Sequence, residues 1–167
     1  MADMPKLRMT FDPNTIQHLG IRMYSNLPAA IAELVANAYD ADAHHVIIKL
    51  TDTKNIKGIS VEDDGDGMSF DEINDCFLKI GRNRRDIEQS DVTKGGRKVT
   101  GKKGLGKLAL FGIGIEINIK THKKGTTKGT EFSLNWDELK KCHSDYTPRF
   151  QQTSDMSPNG HTIITIS

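Results

Sequence analysis

Three groups of residues in this chain could do chemistry together. Glu33, Asn37 and Asp40 are spaced four and three apart, so a helix through them would carry a carboxylate, an amide and a second carboxylate along one stripe. On spacing alone a solvated helix face is the commoner reading, because such stripes are frequent; the motifs that follow reverse that weighting. Further along, Asp63-Asp64-Gly65-Asp66-Gly67 puts a carboxylate at the end of a β-branched run, followed by two glycines that let a flat ligand approach the backbone. Asp63 could accept a hydrogen bond from an exocyclic amine. Adenine offers such an amine, whereas guanine offers a carbonyl oxygen that a carboxylate repels, so one group would supply both affinity and base choice. The third group, Gly101-Lys102-Lys103-Gly104-Leu105-Gly106-Lys107, spaces its glycines as GxxGxG and runs into Leu108-Ala109-Leu110-Phe111. Backbone N–H groups at a helix start of that kind favour an anion.

Other chemistries fit these residues less well. The acidic turn lacks the alternating ligands and closing Glu of an EF-hand loop. The glycine segment has neither the preceding strand of a dinucleotide fold nor the GK[ST] ending of a Walker loop. Cys76 and Cys142 show no metal-ligand spacing with each other or with the six histidines, adjacent His44 and His45 included, so neither zinc nor a catalytic histidine is expected.

In order along the chain, the acid-amide helix, the Asp-x-Gly-x-Gly turn and the GxxGxG segment resemble the GHKL family, which includes gyrase, the large heat-shock chaperone, histidine kinases and MutL. The stretch Ala30–Ala41 is most similar to the chaperone, MutL and Morc-type branch. The resemblance implies a Bergerat fold: an α+β two-layer sandwich, with helices on one face of a mixed, mostly antiparallel sheet and a long ATP lid over residues 81–106. It implies ATP and Mg²⁺ as cofactors. Asn37 would bind Mg²⁺ through its side-chain oxygen, Glu33 would activate the attacking water as general base, and Asp63 would hold the adenine amine. Asp40 would support the solvent network of the pocket. Gly65, Gly67 and Met68 would line the adenine slot, while Gly104, Leu105, Gly106 and Lys107 would surround the phosphates. Many relatives end in a Gly-Thr pair near the base; Gly129-Thr130 and the interrupted Gly160-His161-Thr162 compete for that place, and strand order favours Thr162. Gly81-Arg82-Asn83-Arg84-Arg85 resembles the basic opening of the lid in Morc-like relatives.

These groups need elements to hold them. Asp12-Pro13 predicts a short helix through Ile16, Leu19 and Met23, ending near Ser25. Asn26 caps a second, with Pro28 in its first turn and Ile31, Leu34, Val35 and Ala38 as the buried face. Residues 46–50 and 58–62 read as a hairpin. Ser69 with Glu72 forms a capping box for a helix through Ile73, Phe77 and Ile80, stopping near Gly81. From Arg82 to Lys103 apolar periodicity is nearly absent and three glycines intervene, which predicts a long mobile loop. A short helix after Gly106 and strands near 115–119, 131–134 and 162–166 complete the two layers.

Composition frames the reading. The 167 residues suit one domain, 1–167, with residues 1–25 as an N-terminal segment and dimer contact. The end at Ser167, inside a predicted strand, leads us to expect an excised domain. Net charge is +1, which weighs against a general polyanion binder. The charge is uneven: Lys79 to Lys107 holds ten Lys or Arg against three acids, a net of +7 that leaves −6 on the remainder. Such a segment is suited to attract a polyphosphate. The absence of a signal-peptide pattern and of a long apolar stretch predicts no membrane span, and sparse cysteine favours the cytoplasm. The leading expectation is an ATPase whose cycle drives lid closure and homodimerisation of a larger protein. Its client, protein or DNA, would be set by further domains. An ATP-gated interaction module with negligible turnover is the alternative; a histidine-kinase catalytic domain is less favoured, since kinases of that class typically carry Asn where Glu33 stands.

Overall fold

The computed structural model describes residues 6–10, 27–54, 57–79, 92–100, 110, 113–142, 145–154 and 159–167. The expected helix at 12–25, the segment opened by Gly81 and the GxxGxG residues lie outside these. Six strands form one sheet: β2 (Val46–Asp52), β3 (Lys57–Asp63), β4 (Glu116–His122), β5 (Lys128–Asn135), β7 (Arg149–Ser154) and β8 (His161–Ile166). Their order is β2-β3-β8-β4-β5-β7, and every pairing is antiparallel. A two-stranded ribbon pairs β1 (Met9–Thr10) with β6 (Asp145–Tyr146). Helix α1 (Leu27–Asp40), the short α2 (Phe70–Glu72) with its π-helical extension Ile73–Phe77, and α3 (Trp136–Lys141) complete the described elements.

Residues directly opposite across antiparallel strands share a face, so the register sorts the sheet into rows. One row is Ile59, Ile166, Ile117 and Leu134; the next is Val61, Ile164, Ile119, Phe132 and Phe150. These side chains form the core with Ala30 and Leu34 of α1 and with Trp136 and Leu139 of α3. The alternate positions, such as Lys49, Ser60, Thr165, Asn118 and Ser133, form a polar row. A sheet with one covered face and one polar face is what this alternation specifies.

Helix α1 packs through Ala30, Leu34 and Ala38, an i, i+4, i+8 stripe whose small residues bring the helix close to the sheet. Val35, expected in the buried face, is 36% exposed, because the stripe is narrower than predicted. The capping box at Ser69 forms: Ser69 N–H donates to Glu72 Oε2 at 2.8 Å and Glu72 N–H to Ser69 Oγ at 3.2 Å. The following turn widens to a π-helix and ends at Leu78, which is fully buried.

Three features were not read from the sequence. Leu7 and Met9 are core residues, at 0% and 1% exposure, and Asn74 clips their strand by accepting from Arg8 N–H and donating to the Lys6 carbonyl. The start of the N-terminal segment is therefore built into the domain. Asn135 caps α3 by accepting from the Asp137 and Glu138 amides. Thirdly, the predicted loop from Arg82 to Lys103 is structured in its described part: Val92 and Lys98 form a β-bridge around a turn at Thr93–Arg97.

Candidate functional site

The core rows give way at one end of the sheet to a polar one. Asp63 lies opposite Thr162, Thr162 opposite Thr121, Thr121 opposite Thr130, and Thr130 opposite Gln152. The three threonines are buried. Thr121 Oγ1 is 3.0 Å from Thr162 Oγ1 and accepts from the Met68 amide at 3.0 Å. Both candidates from the sequence, Thr162 and Thr130, stand in this row, and Thr162 is the one beside Asp63. Thr121 was missed. Its signal is a hydroxyl continuing the apolar alternation Ile117, Ile119 of β4.

Asp63 ends β3 half-buried. The Gly65 amide donates to its Oδ1 at 3.0 Å, but burial outweighs that bond and pushes its carboxyl up to about 6. Withdrawal from water disfavours the charged form, and a donor from a ligand would restore it. Asp64 does the opposite work: it accepts from the His44 and His45 amides and from the His45 ring, which hold it well below the usual carboxylate range. It thereby fixes the turn between α1 and β2.

The loop Asp63–Met68 is wedged between three chain segments. The Asp66 amide donates to the Ala41 carbonyl just after α1, and the Lys124 amide donates to the Asp66 carbonyl. Gly67 has φ +62, and a Cβ there would collide with the His122 carbonyl, so no other residue fits. At Gly65 a side chain would meet Ala41. The loop is thus packed between the end of α1 and the end of β4, with Met68 tied to the threonine row.

Glu33, Asn37 and Asp40 all lie on α1, which ends against this loop; Glu33 and Asp40 are half-buried and Asn37 is exposed. Asp40 Oδ1 accepts from both the amide and hydroxyl of Thr100, at 2.8 and 2.9 Å. Its described partner is therefore the segment leading to Gly101. The next anchor is Asp42, in a left-handed conformation at φ 60, which Asp tolerates better than most residues. Its carboxylate accepts from Thr93 Oγ1 at 2.5 Å and from the Gly95 amide at 2.8 Å. Arg97 donates to the Ala43 carbonyl at 2.7 Å and stacks 5.0 Å from the Tyr39 ring centre. Lys94 reaches Asp66 at 3.6 Å. Residues 92–100 are clamped to the C-terminal end of α1 and place Thr100 beside Asp40. Gly104, Leu105, Gly106 and Lys107 lie outside the described residues.

The donor set fits one kind of metal. Among the described residues no three His, Cys, Asp or Glu converge as a cage, whereas Mg²⁺ takes one or two protein oxygens and fills its shell with phosphates and water. An exposed amide oxygen at Asn37 suits that pattern. Among the described residues no helix is long and apolar enough to cross a membrane.

The model of the histidine kinase-, DNA gyrase B- and HSP90-like ATPases matches residues 24–161. A candidate type II restriction enzyme of Herpetosiphon aurantiacus, HgiDII, is 40% identical over 72% of this chain and 19% of its own length. The chaperone HtpG of Streptomyces coelicolor is 26% identical over 66% of this chain and 21% of its own. The ATPase morc-1 of Caenorhabditis elegans is 43% identical over 32% of this chain and 8% of its own. The chain thus spans about a fifth of the length of the first two relatives.

Proposed function

The chain belongs to the histidine kinase-, DNA gyrase B- and HSP90-like ATPases, and we propose that it binds Mg-ATP in the slot between α1 and the Asp63–Met68 loop and hydrolyses it. The observation that carries this reading is the half-buried Asp63, short of donors, set beside a buried row of threonine hydroxyls. Such a carboxylate gains from the exocyclic amine of adenine and is repelled by the carbonyl of guanine. Thr162 stands next to it to meet the base directly or through water, and Gly65, Gly67 and Met68 border the ring.

In this reading Asn37 offers its side-chain oxygen to Mg²⁺, which when bound neutralises and orients the phosphates. Glu33, one helical turn earlier, takes the proton of the attacking water. Asp40 holds Thr100 and so sets where the glycine segment begins, from which Gly104, Leu105, Gly106 and Lys107 meet the phosphates. Closure of the lid over the phosphates would exclude water. Closure would favour a dimer of the larger protein in the cytoplasm, through the segment around Ile16 and Leu19. A client, protein or DNA, is engaged by other parts of that protein.

Calorimetry with Mg-ATP and Mg-GTP, followed by phosphate release, tests the proposal. ATP should bind and GTP should bind far more weakly; equal affinities would overturn the adenine assignment. Phosphate release that is absent even in the full-length protein would leave a nucleotide-gated module in place of an ATPase.

A further inference from the structure

His122 ends β4 and is completely buried. Its ring meets two backbone carbonyls: Nε2 lies 2.6 Å from the Thr126 oxygen and Nδ1 lies 3.2 Å from the Asn159 oxygen. A carbonyl oxygen can only accept, and a neutral imidazole has one N–H. Only the doubly protonated ring satisfies both contacts, and away from water an unsatisfied contact is costly.

The two carbonyls belong to the two segments that brace the candidate nucleotide loop from behind. In the turn after β4, the Lys124 amide donates to the Asp66 carbonyl and Lys123 pairs with Glu72 at 2.8 Å. On the other side Gly160 packs against the Gly65 carbonyl and Asp66. The carbonyl of His122 itself abuts Gly67, and its neighbour Thr121 holds the Met68 amide.

Resting on the nucleotide reading above, we propose that His122 is a positioning residue: as an imidazolium it ties the Lys123–Thr126 turn to the Asn159–Gly160 approach and so holds the Asp63–Met68 loop in its binding shape. Loss of one proton turns one bond into a contact between a nitrogen lone pair and a carbonyl, and the brace loosens. The His161 ring on β8 lies 6.0 Å from that of His122, centre to centre; Lys120 on β4 and Glu62 on β3 act on His161, while Lys123, paired with Glu72, and the loop at Asp66 flank the turn that His122 ties down. Burial, and then the positive ring of His122, hold His161 below the usual imidazole range.

The test uses nitrogen-detected NMR of the labelled chain together with ATP affinity from about pH 5 to 9, a range that spans histidine titration. Both His122 ring nitrogens should carry slowly exchanging protons at the acid end, and ATP affinity should fall about tenfold as one proton is lost, the scale of one charge-assisted hydrogen bond. His122→Gln should lack that basic limb, matching wild type at high pH and binding more weakly at low pH. Asp63 contributes the same acid limb to both proteins, so their difference isolates His122. A single ring proton in the acid wild type, or parallel pH profiles in the two proteins, would overturn the proposal; the NMR arm holds even if the variant fails to fold. Two ring protons in a wild type that binds no ATP at any pH would instead overturn the nucleotide reading, and the positioning role with it.

Discussion

Asp63 is held where its own charge is unfavourable, and that fixes the sign of its effect on stability. Burial raises its carboxyl to about 6, so its stabilising contribution is complete below the ordinary Asp value and is lost as pH rises through about 6. At pH 8 the nucleotide-free domain therefore carries a buried, under-solvated carboxylate. Asp63→Asn removes that charge while keeping an oxygen for the Gly65 amide. The variant should melt roughly 2–8 °C higher than wild type at pH 8, with the gain vanishing near pH 4, while ATP affinity falls roughly tenfold to a hundredfold. Scanning calorimetry at both pH values reads the first effect, and a lower melting point at pH 8 would contradict the burial argument. Glu33 makes a separable prediction. Glu33→Ala should keep Mg-ATP bound and slow phosphate release by about 10²- to 10⁴-fold, the usual contribution of a positioned base; equal turnover in wild type and variant would remove Glu33 from that role.

Between helix and sheet, the clamp at residues 92–100 is the element that most changes the expected picture. Asp40 and Asp42 hold it from the end of α1, and Thr93 is central: its hydroxyl donates to Asp42 and accepts from the Arg97 amide. Thr93→Val keeps the shape and removes both bonds. Trypsin cleavage after Lys94, Arg97 or Lys98 should quicken on the order of tenfold, the equivalent of one or two hydrogen bonds, with the sheet unaffected by circular dichroism; unchanged cleavage would mean that the clamp does not restrain the segment. None of this could be read from hydrophobic periodicity, because the partners are about fifty to sixty residues apart and bond through polar side chains. The elements that were legible had local signals: the β-branched hairpin runs, the Ser69–Glu72 box, and the helical spacing of Leu34 and Ala38, although Ala30 in place of Val35 completes the buried stripe. Strand β7 escaped because it is an edge strand whose polar residues hide the alternation around Phe150. The Asp-x-Gly-x-Gly turn was legible as chemistry, but Thr121 and His122 became site residues only through the register that places β4 beside β8.

For the whole domain, the built-in Leu7 and Met9 limit what a second copy could take hold of. Leu7 and Met9 are part of the core, so any nucleotide-dependent docking through the segment around Ile16 and Leu19 must leave this strand with its own domain. The isolated chain should scatter light as a monomer alone and dimerise weakly with a non-hydrolysable ATP analogue, about a two-fold axis. Hydrogen exchange at Leu7 and Met9 should not change on dimerisation, and exposure there would indicate strand exchange instead. The threonine row sets a different kind of limit. Asp63, Thr162, Thr121 and Thr130 all stand on strands bonded to a neighbour on each side, so the end of the pocket proposed to read the base is held in place by the sheet itself. Adenosine, which has no phosphates, should then bind with little entropic penalty, and a large unfavourable entropy measured by calorimetry would mean that this end must still be assembled around the ligand. The sheet would thus act as a rigid stencil, cut before the base is laid on it.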